Sequence, residues 1–102
     1  MAIGSTQPFR PAGTVSLASG TSSASVALAG GGETVVVTNT TTALAFVRFG
    51  ADPSVAASPG DMPVLPGTRV MLAANSLITY AAAVLASGSG NVLFTVGDGS
   101  FI

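Results

Sequence analysis

Short runs rich in valine, leucine, alanine and threonine recur about every ten residues along the chain, and glycine, proline or asparagine interrupts them. The runs are TVSLA (14–18), ASVALA (24–29), ETVVVTN (33–39), ALAFVRF (43–49), TRVMLA (68–73), SLITYAAAVLA (76–86) and VLFTV (92–96). Side chains two apart share one face of a strand. Val15 with Leu17, Val26 with Leu28, Val35 with Val37, Val70 with Leu72, and Val92 with Phe94 and Val96 therefore make successive apolar faces. This spacing predicts an all-β antiparallel β-sandwich, jelly-roll-like or Ig-like, of about seven or eight short strands.

Two segments need separate treatment. Alanine favours helix, which makes Ala81–Ala83 the weakest part of the strand pattern. Ile78, Thr79, Tyr80 and Val84 flank it, no capping pair opens a helix, and Gly88 and Gly90 close the run early, so a strand is expected. Pro63 and Pro66 exclude a central strand over 61–67. Pro66-Gly67 suits the middle of a type II turn. The loop over 54–62 has room for one short edge strand. Residues 1–13, with Pro8 and Pro11 and no periodicity, read as an extended N-terminal arm, and 14–102 as a single sandwich domain.

Composition narrows function mainly by exclusion. Charged residues make up 7% of the chain, against a usual share of ~25%. They are Arg10, Arg48, Arg69, Glu33, Asp52, Asp61 and Asp98, for a net charge of −1. No basic patch exists to neutralise phosphates or to hold an anionic bilayer, so neither nucleic acid nor membrane is an expected partner. No apolar run approaches the length of a spanning helix. The chain has no cysteine and no histidine, which nearly empties the usual nucleophile, acid–base and metal-ligand sets. Asp52 before Pro53, and Asp61 after Gly60, are ordinary turn residues. Gly30-Gly31-Gly32 lacks the lysine and the following helix of a phosphate loop. No enzyme activity, metal or cofactor is expected.

The run ALAFVRF is apolar on both faces, apart from one arginine. Ala45, Val47 and Phe49 suit the core, which leaves Leu44, Phe46 and Arg48 on a second face. Either another subunit or another layer of this chain has to cover Phe46. Arg48 reads as an exposed strand position paired with Asp52 or a neighbouring strand's carboxylate, or as an interface contact beside Phe46. Arg69 and Met71 repeat the pairing of an arginine with a large apolar residue. Soluble monomers carry ~25–35% charged residues on their surface, and lysines guard their sheet edges. This chain has no lysine, so a homo-oligomer, trimer or dimer, is expected. The interface candidates are Ile3, Phe9 and Arg10 in the arm, and Phe46, Arg48, Arg69 and Met71 on the strands.

Pro11-Ala12-Gly13-Thr14-Val15-Ser16-Leu17, Thr34-Val35-Val36-Val37-Thr38-Asn39-Thr40, Phe46-Val47-Arg48-Phe49-Gly50, Pro63-Val64-Leu65-Pro66-Gly67 and Leu93-Phe94-Thr95-Val96-Gly97-Asp98-Gly99 together cover most of the chain. In these segments it resembles small virion proteins of tailed bacteriophages and prophages, of the capsid decoration (cement) or head-spike-base type. The resemblance implies a β-sandwich subunit on the capsid surface, made in the host cytoplasm. It would bind the major capsid protein at junctions between capsomers and stabilise the shell. It implies no catalytic residue and no cofactor. The alternative is a head-spike, fibre or tail-associated module that binds carbohydrate or another virion protein. The absence of tryptophan and the single tyrosine, Tyr80, argue against sugar binding. A threonine row at Thr38, Thr40 and Thr42 hints at an ice- or surface-binding protein but lacks a regular repeat.

Overall fold

The computed structural model describes residues 10–28, 33–73 and 78–98. They form eight strands, β1 (Arg10–Ser19), β2 (Ala24–Ala27), β3 (Thr34–Asn39), β4 (Ala45–Gly50), β5 (Met62–Val64), β6 (Arg69–Ala73), β7 (Tyr80–Leu85) and β8 (Gly90–Asp98), with no helix among the described residues. β1 pairs with β8, β2 with β7, β3 with β6 and β4 with β5, all antiparallel. The first four strands and the last four are thus two sides of one long ribbon. Further pairing of β3 with β8 and β4 with β7 gathers its rungs into two sheets, ordered β1-β8-β3-β6 and β2-β7-β4-β5. This is the strand order of a jelly roll, and it resolves the two sandwich topologies that the strand spacing leaves open.

The expected faces are the ones buried. Across the first sheet, Val15, Phe94, Val37 and Val70 stand in one row. Across the second, Ala24, Ala83, Val47 and Met62 stand in another. Val35, Val37, Ala45, Val64, Ala81, Ala83, Val92 and Phe94 are fully buried in the core between the sheets. Phe49 meets Phe94 edge to face across that core, with ring centroids 6.4 Å apart and planes at 70°, a favoured aromatic geometry.

β7 is a strand despite its alanines. It lies between β2 and β4, and both of its faces are covered, so Ala81, Ala82 and Ala83 are all fully buried. Tertiary packing overrides propensity here, because small side chains let layers approach from both sides. The strand boundaries also move outward from the sequence expectation. β8 takes in Gly90 and Asn91 at one end and Gly97 and Asp98 at the other, all read as turn residues from sequence. β1 begins at Arg10, so residues 10–13 of the expected arm belong to the sheet, with a register shift between Pro11 and Gly13. Proline is tolerated there because β1 is an edge strand. Pro63 likewise sits in β5, an edge strand of three residues. Gly67 has φ of 71° and Thr68 N–H donates to Leu65 O at 3.2 Å, as a type II turn on Pro66-Gly67 requires.

One polar side chain holds the corner where the sheets meet. Asn39, at the end of β3, reads as a turn residue from sequence and is fully buried. Its Nδ2 donates to Ala43 O and to Val64 O, each at 2.9 Å. Its Oδ1 accepts from Thr41 N–H at 2.9 Å and lies 2.7 Å from Thr41 Oγ1. Its backbone exchanges two more bonds, both 2.9 Å, with Thr68 O and Gly67 N–H. The amide therefore joins β3 of the first sheet to β5 of the second and fixes the 40–44 crossover. An unpartnered buried polar group costs ~1–3 kcal/mol. Asn39→Ala orphans two carbonyls and an amide, and is expected to lower unfolding free energy by about 2–4 kcal/mol in urea titrations. Asn39→Asp removes both donors and sets a carboxylate against the same carbonyls, so it should cost at least as much at neutral pH.

Candidate functional site

The two outer sheet faces differ in what covers them. On the second sheet the outer positions are Phe46 and Arg48 of β4, Ala82 and Val84 of β7, and Ser25 of β2, with Phe46 opposite Val84 and Arg48 opposite Ala82. A strap of this chain, residues 51–61, lies over them. Its Val55 and Ala57 join Phe46, Ala82 and Val84 in a second apolar cluster, separate from the core. Phe46 is half-buried under the strap, so another layer of the same chain covers it. Gly50 makes the close approach possible, because a Cβ there would lie 2.8 Å from Val55 Cβ.

The strap is held by side-chain hydrogen bonds. Ser25 Oγ donates to Pro53 O at 3.0 Å, Ala57 N–H donates to Ser23 Oγ at 2.8 Å, and Thr79 Oγ1 donates to Ala51 O at 3.3 Å. Its two aspartates close its two turns. Asp52 Oδ1 accepts from Ser54 N–H at 2.9 Å and from the Ser54 hydroxyl. Asp61 Oδ2 accepts from Ser58 N–H at 2.7 Å. The turn-residue reading of both therefore describes their geometry. Arg48 pairs with Asp61 at 3.8 Å, not with Asp52, and the arginine side chain is 59% exposed. Such a pair contributes at most ~1 kcal/mol. Beside it an open depression of about 440 Å³ is lined by Arg48, Phe49, Gly50, Asp52, Ser54 and Val55 among others. Its polar side chains are the Arg48 guanidinium, the Asp52 carboxylate and the Ser54 hydroxyl, the last two hydrogen-bonded to each other. Among the described residues, no group of three or more His, Cys, Asp or Glu is placed to hold a metal.

The outer face of the first sheet has another character. Thr14, Thr95, Val36 and Met71 form one row across it, and Ser16, Leu93, Thr38 and Arg69 the next. The hydroxyls of Thr14 and Thr95 are 2.8 Å apart. Val36 is buried, Leu93, Thr95, Thr38 and Met71 are half-buried, and Thr14 and Ser16 are exposed. Arg69 is the one charge in these two rows, at the β6 edge.

The predicted interface residues are thus divided between two sides of the sandwich. Phe46 and Arg48 belong to the strap-covered face, whereas Arg69 and Met71 belong to the first sheet. Arg10 opens β1 opposite Asp98. Ile3 and Phe9 lie outside the described residues. Several outer positions that the alternation leaves bare are shielded within one chain, and Met62 and Leu65, 43% and 63% exposed, are the large apolar side chains that stand out among the described residues. Sequence reasoning missed the strap as a layer, since Val55 and Ala57 lack any strand period. Comparison with family models, curated proteins and solved structures gives no match for this chain.

The Ser54 hydrogen bonds, side chain first and then backbone, hold the Asp52 carboxyl below its ordinary range, against a smaller opposing effect of desolvation. A lowered carboxyl pKa adds stability above the unfolded-state pKa that is lost as pH falls through the folded one. Ser54→Ala is expected to move the Asp52 midpoint up in an NMR titration and to narrow the acid range over which the strap stays closed. Gly50→Ala should push Val55 outward, and hydrogen exchange should then speed up in 51–61 while β3 and β8 keep their protection.

Proposed function

We propose that the chain is a structural virion protein, a capsid decoration (cement) subunit that binds the major capsid protein and stabilises the shell. The observation that supports this best is the outer face of the β1-β8-β3-β6 sheet. Its two central rows are built of threonine, serine and apolar side chains, and Arg69 at the β6 edge is their one charge among the described residues. Jelly rolls are common in capsid proteins, and the resemblance of the segments quoted above points the same way. Decoration needs no chemistry at the subunit. It needs a rigid plate with a self-satisfied interior, and several modest contacts that act together when one subunit bridges neighbouring capsomers.

The test is cosedimentation of the purified chain with expanded shells assembled from the capsid protein of the same genome. Saturable binding is expected, with higher shell resistance to heat. Because the face carries so little charge, occupancy should change little between low and high salt. Thr38→Lys, in the middle of the face, should lower affinity by at least about tenfold through a desolvated, unpaired charge. Arg48→Ala, on the strap side, should leave it unchanged. No binding to such shells, or binding abolished by salt, would refute the proposal.

A further inference from the structure

A sandwich of two four-stranded sheets has four edges, and this chain protects three of them. β2 has only four residues, β5 has three and contains Pro63, and β6 begins with Arg69. Shortness, proline and charge are the usual means of blocking strand addition. β1 is different. It too opens with a charge and a proline, Arg10 and Pro11, but it runs ten residues against five in β6, and past the register shift at Pro11/Gly13 the segment Gly13–Ser19 is regular, uncharged and free of proline. Among the described residues nothing pairs with its free side. Val15 points toward the core yet remains half-buried, packed on it from the open edge.

We infer that a second copy of this chain adds at this edge, β1 against β1 in antiparallel register about a twofold axis, to give one eight-stranded sheet across the dimer. Symmetry restricts the register. Opposed residues of an antiparallel pair share a face, so a residue near the middle must stand opposite itself. The regular segment 13–19 is centred on Ser16. Full overlap places Ser16 opposite Ser16, Val15 opposite Leu17 on the core side, and Thr14 opposite Ala18 on the outer side. Val15 then gains the apolar neighbour it lacks at the edge. The outer faces of the two first sheets become one continuous surface. This inference stands independently of what that surface binds.

The chain has no cysteine, so a single introduced one reports the register. Opposed Cα atoms in an antiparallel pair are ~4.5–5.5 Å apart, within disulfide reach. Ser16→Cys in the full chain is expected to form a disulfide-linked dimer under mild oxidation. Ala18→Cys, four residues out of register with its copy and beyond reach, should cross-link at least about tenfold more slowly. In sedimentation runs the parent should be a dimer, Ser16→Lys and Ser16→Glu should each be monomers, and their equimolar mixture should recover the dimer. Thermal melts check that each variant folds. A parent that is monomeric at its highest soluble concentration, or trimeric, would overturn the inference. So would equal cross-linking at both positions, a dimer indifferent to Ser16→Lys, or a dimer lost on removing residues 1–9.

Discussion

The carboxamide of Asn39 engages both of its donors and its acceptor inside the protein, and the relation between the two sheets depends on it. A jelly roll is one ribbon folded over itself, so the chain has to leave one sheet and enter the other at every turn of the ribbon. The backbone groups at such corners cannot join a ladder and still have to be paired once water is excluded. Asn39 pairs them. It reaches Val64 in the opposite sheet, Ala43 and Thr41 in the crossover, and, through its backbone, the Pro66-Gly67 turn. Gly90 closes the same corner, since a Cβ there would lie 2.6 Å from Thr41 Cγ2.

With that corner in place, the rest is layering. The first sheet supplies one face to the core, and among the described residues no second layer is seen over the other. The second sheet supplies one face to the core and receives the 51–61 strap on the other. The strap is why β7, and β4 apart from Arg48, are apolar on both sides, and why β7 contains three consecutive alanines that would otherwise favour helix. It is attached by side-chain hydrogen bonds and an exposed ion pair, and covers a small cluster that shares no residue with the core. Such a segment opens on its own more easily than the sandwich unfolds.

The same asymmetry organises the functional proposals. Charge is sparse everywhere, but Arg48, Asp52 and Asp61 lie on the strap side, which leaves the first sheet's outer face with Arg69 alone in its two central rows. A face of hydroxyls and apolar groups binds by shape and burial, with little electrostatic steering. Continuity of that face across two copies through β1 would double its extent without a new kind of contact.

Much of this was legible in the residues. Alternation in TVSLA, TVVVTN, RVMLA and VLFTV determined which side chains enter the core, because a one-residue slip would expose all of them. Pro63 ruled out a central strand there, although the edge strand β5 formed at Met62–Val64 and not within the 54–62 loop, and Pro66-Gly67 set the turn after it, since that pair suits the middle of a type II turn. Three things were decided by tertiary structure alone. Which strands pair was one, since alternation says which face is buried and not which neighbour lies beside it. The cover over Phe46 was another, because Val55 and Ala57 have no period and act only once Gly50 lets them approach. The role of Asn39 was the third. Asparagine before Thr-Thr-Thr reads locally as a turn, and its long-range partner at Val64 exists only after the ribbon has folded over.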